Sequence, residues 1–208
     1  MAVRFCDEEF AKLKEILVLY RCALNNMYSR IDTLLEDFTN LQPYNPIEHV
    51  KIRMKSPESI VEKLYRRGFP LTVDSATTNL TDIAGVRCIC SYAKDVIILA
   101  EALKRQPDLT IIQEKDYVTE PKPTGYRSYH MIIEVPIYLT DKTTKLPVEV
   151  QIRTQAMDFW ASLEHKVRYK YDDKIPESLS RELIECAARI RELDHRMSLI
   201  QEIADLAR

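Results

Sequence analysis

The nine residues from Lys122 to His130 combine groups that bind anions with groups that stack on flat rings. They include two cations, two tyrosines, an imidazole and one of only three glycines in the 208-residue chain. An apolar run, residues 131–135, follows directly, which is typical of a loop that leads into a buried strand. Charge and stacking surface at the mouth of a strand indicate a ligand-binding loop.

Two carboxylates are the best candidates for catalysis. Asp82 precedes the strand-like residues 86–92, and Glu149 lies within residues 148–153, where apolar and polar side chains alternate. This alternation places Glu149 on the polar face of a sheet, away from its apolar neighbours. A carboxylate in that position can bind Mg²⁺ or remove a proton.

The groups expected around these acids are mostly cationic. Residues 51–67 hold six basic and two acidic side chains, and Ser56 followed by Pro57 marks a helix start. A helix N-terminus flanked by cations can bind an anion without glycine, although a solvated basic face would give the same pattern. Many cations around two acids resemble a polyphosphate site, because phosphoryl transfer depends on charge neutralisation and alignment. The cations are Arg53, Lys55, Lys63, Arg67, Arg87, Lys115, Lys122 and Arg127.

Composition excludes several kinds of site. Three glycines cannot form a dinucleotide fingerprint or a P-loop, and the five cysteines show no paired metal spacing. The net charge of −2 does not indicate a general nucleic-acid coat. The sequence contains neither a signal-peptide pattern nor a run of about 18 apolar residues. We therefore expect a cytoplasmic protein that does not enter a membrane.

Strands and helices alternate in the segments that must position these groups. We expect an α+β fold with a mixed sheet of about five strands flanked by helices. The predicted strands span 86–92, 109–118, 131–139 and 148–153, with a turn around 141–145, and the predicted helices follow 56–57 and span 95–105 and 156–171.

Long amphipathic helices are expected at both ends of the chain. Apolar residues recur every three or four positions from 10 to 38 and from 183 to 207. This spacing favours helix-on-helix packing within the chain or between subunits, and for the last helix we expect a subunit contact. The predicted division is an N-terminal helical region at 1–42, a core at 43–175 and a C-terminal helix at 176–208.

Five ordered motifs cover roughly residues 45–171. They are Arg53-x-Lys55-x-x-x-Ser59, Asp82-x-x-Gly85-x-Arg87, Lys122-x-x-Gly125-Tyr126-Arg127-Ser128-x-His130, Val148-Glu149-Val150-Gln151-Ile152-Arg153-Thr154 and Phe159-Trp160-x-x-x-Glu164-His165. Together they resemble the synthetase domain of the RelA/SpoT proteins, and most closely the single-domain small alarmone synthetases. Any one motif alone would be weak, whereas the ordered set is specific.

The resemblance implies an activity. Such enzymes move a pyrophosphoryl group from ATP to the ribose 3′-hydroxyl of GDP or GTP, which releases AMP and forms the stringent-response alarmone (p)ppGpp. Mg²⁺ would be the cofactor, with Asp82 as one ligand and Glu149 as a second ligand, the general base, or both. The chain has no His-Asp dipeptide of the kind found in the hydrolase domains of long relatives, so we expect synthesis without hydrolysis. The family also implies a homo-oligomer, a tetramer or else a dimer.

The resemblance further implies two nucleotide subsites. Arg53 and Arg87 would sandwich adenine, and Tyr126 would stack on guanine. Asp158 occupies a place where asparagine can occur, and its carboxylate could accept hydrogen bonds from guanine N1 and N2. The ATP subsite would comprise Arg53, Lys55, Ser59, Lys63, Arg67 and Arg87, and the GDP or GTP subsite Lys115, Lys122, Tyr126, His130, Gln151 and Asp158.

Two other functions fit the same residues. A binding module could recognise guanine nucleotides or RNA through the basic and stacking side chains without turnover. Alternatively, the helical ends could make the chain chiefly an assembly protein. In the enzyme hypothesis, nucleic acid is expected at most as a regulator, and the choice between GDP and GTP stays open.

Overall fold

Strands and helices alternate along the chain in the manner expected of a mixed sheet. The computed structural model describes residues 5–171 and 174–206. It confirms the α+β class, the five strands and the long terminal helices. The elements are α1 (Asp7–Asn40), β1 (Ile47–Met54), α2 (Pro57–Arg66), α3 (Val73–Asn79), β2 (Ala84–Cys90), α4 (Ala93–Lys104), β3 (Thr110–Asp116), β4 (Tyr129–Tyr138), β5 (Thr143–Thr154), α5 (Gln155–Lys170) and α6 (Glu177–Leu206).

The five strands form one sheet in the order β1-β2-β5-β4-β3. Strands β2 and β5 pair in parallel at its centre, whereas the other three pairs are antiparallel. A parallel pair requires a long crossover, and here the chain between β2 and β5 includes α4, β3 and β4. The two strands that carry the best candidate motifs are therefore neighbours at the middle of the sheet.

One face of the sheet carries the main hydrophobic core. Helices α1 and α4 contact this face through β2, β4 and β5. Val148, Val150 and Ile152 point into it and are fully buried, as their alternation predicted. The opposite face is left to polar side chains and is flanked by α2, α5 and the 122–128 loop.

Two elements and one turn were not predicted correctly. The strand β1 was missed because only its first residue, Ile47, is buried and it therefore carries no alternation. The short helix α3 was missed because its seven residues are mostly small or polar. The turn predicted around 141–145 is tighter than expected, since β5 already begins at Thr143.

The two terminal helices differ in burial. Helix α1 buries a continuous stripe that includes Tyr20 and Met27, whereas within Glu177–Leu206 only Ala187 and Asp194 of α6 are buried. Residue 207 of the predicted C-terminal stripe and residues 1–4 of the N-terminal region lie outside the described residues. In the part of the chain that the structure describes, no helix is both long and apolar enough to cross a membrane.

Candidate active site

Two rows of cross-strand neighbours form the floor of the candidate site. Residues directly opposite one another in a sheet point to the same face, so each row presents its side chains together. All five strands contribute one residue to each row. The first row is Lys51, Arg87, Gln151, His130 and Lys115, and the second is Arg53, Gly85, Glu149, Ile132 and Gln113.

Asp82 and Glu149 meet above this floor. Both line a cavity of about 320 Å³ on the β1 side of the site and a second cavity of about 350 Å³ on the β3 side. Asp82 lies two residues before β2, where the fully buried Leu80 and Ile83 fix the chain on either side of it. The two carboxylates predicted to act together are therefore neighbours at the junction of two cavities.

Two lysines hold the Asp82 carboxylate. Its Oδ2 atom lies 2.8 Å from Lys55 Nζ and 2.6 Å from Lys63 Nζ. Burial would raise the pKa of Asp82, but the two lysines outweigh burial and keep the pKa below its ordinary value. The Oδ1 atom is buried and finds no hydrogen-bond partner among the described residues. Asp82 is thus ionised, with one oxygen left over for another ligand.

Glu149 is also held in its ionised form. Its Oε1 atom lies 3.4 Å from His130 Nδ1, and its Oε2 atom accepts a hydrogen bond from Gln151 Nε2 at 2.9 Å. Burial would raise the pKa of Glu149, but the contacts with His130 and Gln151 outweigh it and lower the pKa. A carboxylate that is ionised at neutral pH can serve as a metal ligand or accept a proton.

The cavity on the β1 side, which we call the first cavity, brings together Arg53 and Arg87. They lie on neighbouring antiparallel strands, where Arg53 is opposite Gly85 and Arg87 is opposite Lys51, so the two arginines are diagonal neighbours. Such neighbours lie about 7–8 Å apart. Gly85, which lies opposite Arg53, has no side chain, so the floor of the cavity is lower at that position. Both arginines line this cavity, so two guanidinium groups are available there to stack on a flat ring.

The cavity on the β3 side, the second cavity, brings together most of the remaining predicted cations. Lys63 and Arg67 reach it from α2, Lys115 from β3 and Lys122 from the loop before β4. His130 completes its wall beside Glu149. Ser59 lies one turn before Lys63 on α2, where its backbone N–H donates to the N-cap Ser56. The predicted helix start at Ser56 and Pro57 is confirmed.

An aromatic cluster lies beside residues 122–128, which we call the acceptor loop because the family resemblance assigns Lys122 and Tyr126 to the acceptor nucleotide. Tyr126 Oη lies 2.8 Å from His130 Nε2, and Tyr117 packs edge-on against both rings. Lys122 Nζ lies 4.7 Å from the centre of the Tyr117 ring and 4.8 Å from that of Tyr126. Sequence reasoning missed Tyr117, because it follows β3 at an irregular position that no motif includes.

Arg153 is the second residue that sequence reasoning missed. It was expected on the polar face of the strand with Glu149 and Gln151 but was given no role, and it is only 4% exposed. It donates to Tyr126 Oη at 2.5 Å, to Gln151 Oε1 at 2.9 Å and to Ser128 Oγ at 3.2 Å. Arg153 lies two positions after Gln151 in an alternating strand, and this spacing indicated that both side chains are on the same polar face. Arg153 fixes the hydroxyl end of the ring predicted to stack on guanine.

Asp158 joins both sides of the site. Its Oδ1 atom accepts a hydrogen bond from Arg87 and another from Arg153, each at 3.1 Å. In this arrangement the carboxylate orients two arginines. The expectation that Asp158 hydrogen-bonds to guanine stays a prediction. Because Asp158 also bonds to Arg87, it helps to position an arginine that lines the first cavity.

One expected member of the cationic set does not face the nucleotide cavities. Arg127 was grouped with the phosphate-binding cations, but it donates to Asp194 of α6 at 3.1 Å and lines the contact between the loop and that helix. The grouping was wrong because successive residues in an extended loop point to opposite sides, and Tyr126 takes the side that faces the site.

Comparison with known proteins agrees with this geometry. A family model described as the region found in RelA/SpoT proteins matches residues 52–174. The chain belongs to the RelA/SpoT family. The matched residues contain the predicted motifs from Arg53 to His165, so the resemblance inferred from those motifs is confirmed.

Relatives within the RelA/SpoT family match nearly the whole chain. GTP pyrophosphokinase YwaC of Bacillus subtilis (strain 168) is 44% identical over 192 residues, which cover 92% of this chain and 91% of that protein. The crystal structure of small alarmone synthetase 2 from Bacillus subtilis has a TM-score of 0.82 at 43% identity and covers 91% of this chain and 97% of its own. Small alarmone synthetase 1 from the same species, bound to its product pppGpp, has a TM-score of 0.86 at 34% identity, with coverage of 92% and 97%.

Proposed function

We propose that this RelA/SpoT-family protein is a GTP/GDP pyrophosphokinase that makes (p)ppGpp from ATP and GDP or GTP, with AMP as the second product. The observation that carries the proposal is the convergence of two ionised carboxylates, Asp82 and Glu149, at the junction of two cationic cavities. Two cavities that share a pair of acids suit a reaction between two nucleotides. The relatives named GTP pyrophosphokinase, and the neighbour bound to pppGpp, support the same activity.

ATP would place its adenine in the first cavity and extend its phosphates into the second cavity, which Lys63 and Arg67 line. Arg53 and Arg87 would hold the adenine between their guanidinium planes, which stack well on aromatic rings. Lys55, Lys63 and Arg67 would neutralise the phosphates, with Ser59 beside them on the first turn of α2. The N-terminus of α2 adds a favourable partial charge for an anion.

The acceptor nucleotide would place its guanine in a third cavity, of about 700 Å³, which Tyr126 and Gln151 line together with Arg53 and Arg87. Its phosphates would enter the second cavity beside Glu149. Tyr126 would stack on guanine, a contact worth about 1–3 kcal/mol for one base. Lys115, Lys122 and His130 would contact the phosphates, and Gln151 would hydrogen-bond from the floor. Because Lys122 Nζ lies over the Tyr126 ring, the acceptor phosphates would draw this lysine off the face that guanine then occupies.

The two acids fit Mg²⁺ better than a metal held entirely by protein. No group of three or more His, Cys, Asp and Glu capable of holding a metal occurs among the described residues. Mg²⁺ keeps several waters and is commonly held by one or two carboxylates together with substrate phosphates. The partnerless Asp82 Oδ1 and the ionised Glu149 would hold it. Bound there, the ion would neutralise charge on the transferred phosphates.

For this reaction the protein must align the two nucleotides, stabilise the charge on the transferred group and supply one proton acceptor. The acceptor 3′-oxygen attacks the β-phosphorus of ATP, a new O–P bond forms, and the bond between that phosphorus and the oxygen bridging it to the α-phosphate breaks. AMP leaves, and Glu149 would take the 3′-hydroxyl proton, hold the metal, or do both. Lys55 and Lys63 would stabilise charge on the transferred group.

The variant Glu149→Gln tests this proposal against simple nucleotide binding. We expect AMP formation from ATP and GDP to fall by about 1,000-fold, because both proton acceptance and metal ligation need the carboxylate. Calorimetric affinity for GDP should change by less than about threefold. A wild-type protein that binds GDP but forms no AMP would support the binding module instead.

We further propose that the protein assembles through α6 and works in the cytoplasm on free nucleotides. Along α6, large apolar side chains stay exposed in the single chain, which suits burial against other subunits. A tetramer is expected, or else a dimer, and light scattering that finds a monomer at micromolar concentration would refute this. The exposed residues of α6 are Leu179, Ile184, Leu193, Met197, Leu199, Ile200, Ile203 and Leu206.

Synthesis without hydrolysis is also expected, and pyrophosphate release from ppGpp with Mn²⁺ would contradict it.

A further inference from the structure

Helix α6 touches the acceptor loop at the two positions where it is buried. Within Glu177–Leu206, the buried residues are Ala187 and Asp194, seven positions or two turns apart on one face. Ala187 lies against Gly125, and Asp194 bonds to Arg127. The helix therefore contacts the two residues that flank Tyr126 in sequence.

The contact at Gly125 leaves no spare room. Gly125 has a φ of +87°, and a Cβ placed on it would lie 2.4 Å from the Cβ of Ala187. Trp160 of α5 supports the same junction, since its Nε1 donates to the backbone oxygen of Leu183 at 3.0 Å. Tyr126 packs against this small apolar cluster, which is separate from the main core. A shift of α6 at Ala187 would therefore move the loop backbone next to Tyr126.

The contact at Arg127 is a buried ion pair. Arg127 Nη1 lies 3.1 Å from Asp194 Oδ2, and their side chains are 12% and 6% exposed. Thr154, which caps α5, donates to the same Asp194 oxygen at 3.2 Å. Removing one partner of such a pair leaves a buried charge without compensation, which strongly favours rearrangement. The pair therefore ties the loop, the end of β5 and α6 into one arrangement.

We propose that α6 is the element that sets the acceptor subsite, with Asp194 and Arg127 as positioning residues for Tyr126 and Lys122. The inference rests on the proposed function for the identity of the ligand. It follows because Arg127 points to α6 while its neighbour Tyr126 points to the site. The ion pair therefore fixes the loop backbone from which the stacking ring extends, whereas Arg153 and His130 hold the hydroxyl end of that ring. The ATP side contains no comparable contact with α6 among the described residues.

The test is the Asp194→Asn substitution in the full-length chain. The amide oxygen of Asn can still accept a hydrogen bond but carries no charge, so Arg127 loses its ion pair and the loop relaxes. We therefore expect the KM for GDP to rise about tenfold or more. The KM for ATP at saturating GDP should stay within about twofold. Calorimetric titration with GDP alone should show the same weakening. Ala187→Val provides a second variant without a charge change, because its added methyl groups crowd Gly125. It should likewise raise the KM for GDP and leave the KM for ATP nearly unchanged.

Asp95→Asn is the matched control. Asp95 is also a buried carboxylate and accepts hydrogen bonds from Tyr44 and from the backbone of Tyr92, but it holds α4 on the core side of the sheet. This variant should lower the melting temperature and leave both KM values within about twofold. Asp194→Glu should recover part of the GDP affinity, since it restores the charge.

Three results would overturn the inference. The first is an equal rise in both KM values, the second a loss of kcat alone, and the third a GDP-specific effect in Asp95→Asn. If Asp194→Asn does not fold, Ala187→Val decides. Failure of the proposed function is seen separately, as wild-type protein that forms no AMP, and the GDP titration still tests the coupling to α6 in that case.

Discussion

The two sides of the site are supported by different parts of the molecule. On the side proposed to bind ATP, Asp82, Lys55 and Lys63 form ion pairs between short connections and α2, and the neighbouring Leu80 and Ile83 belong to the main core. On the acceptor side, Tyr126 lies on a loop that packs against a small separate cluster of α5 and α6. The first side is held by the main core, whereas the loop backbone of the second is held by a terminal helix, with only the Tyr126 hydroxyl bonded to the sheet through His130 and Arg153.

Affinity for the acceptor nucleotide could therefore be adjusted at the loop and α6 without changes to the sheet. Local stability follows the number of buried apolar contacts, so the loop and α6 can move at lower cost than the sheet can. We expect changes on the ATP side to lower turnover and changes on the acceptor side to weaken binding of GDP or GTP. Each prediction below separates these two effects.

The largest effect is expected at Asp82. In Asp82→Asn the site loses one proposed metal ligand, and Lys55 and Lys63 lose their common anion. The turnover number should fall by about 100-fold or more. Calorimetric affinity for GDP should stay within about threefold of wild type. A variant that loses GDP affinity while keeping its turnover would erase the distinction between the two sides.

A smaller effect is expected at Tyr126. In Tyr126→Ala the stacking surface for guanine is lost, and a contact of about 1–3 kcal/mol corresponds to a rise in GDP KM of about five- to 150-fold. The KM for ATP should change by less than about twofold. Tyr126→Phe keeps the ring and removes only the hydroxyl that bonds to His130 and Arg153, so its effect should be smaller. Equal effects of the two substitutions would show that the ring does not stack.

The smallest effect is expected at Asp158, which contacts both sides of the site through Arg87 and Arg153. If Asp158 reads guanine, Asp158→Ala lowers the preference for GDP over ADP by about tenfold. Its hydrogen bond to Arg87 adds a rise in ATP KM of about twofold to fivefold. Initial rates with GDP and with ADP as acceptors measure both effects. Unchanged selectivity would remove the role in guanine recognition.

The sequence predicts much of this molecule where one periodicity or motif dominates. Alternation identified Glu149 on the polar face of β5, and the serine-proline pair identified the start of α2. Strand order could not be predicted, because the parallel pairing of β2 with β5 depends on contacts between residues more than 60 positions apart. Edge strand β1 was missed since its exposure removes the alternation that marks a strand.

The site was predicted less completely than the fold. Motif residues were found, but the side on which a loop residue points depends on its backbone, as the opposite directions of Tyr126 and Arg127 demonstrate. Arg153 lay within a quoted motif and was passed over, because an arginine in a strand gives no sign of its four partners. Supporting residues depend on tertiary contacts, which a single sequence does not contain.

The most direct test follows the fate of the phosphate. Purified protein is incubated with Mg²⁺, GDP and ATP that carries a label on its β-phosphate, and the products are separated by charge. We expect the label to move into a guanine nucleotide with more charge than GDP, in step with unlabelled AMP. Label that stays in ATP, or appears in ADP or free pyrophosphate while GDP is unchanged, would contradict it.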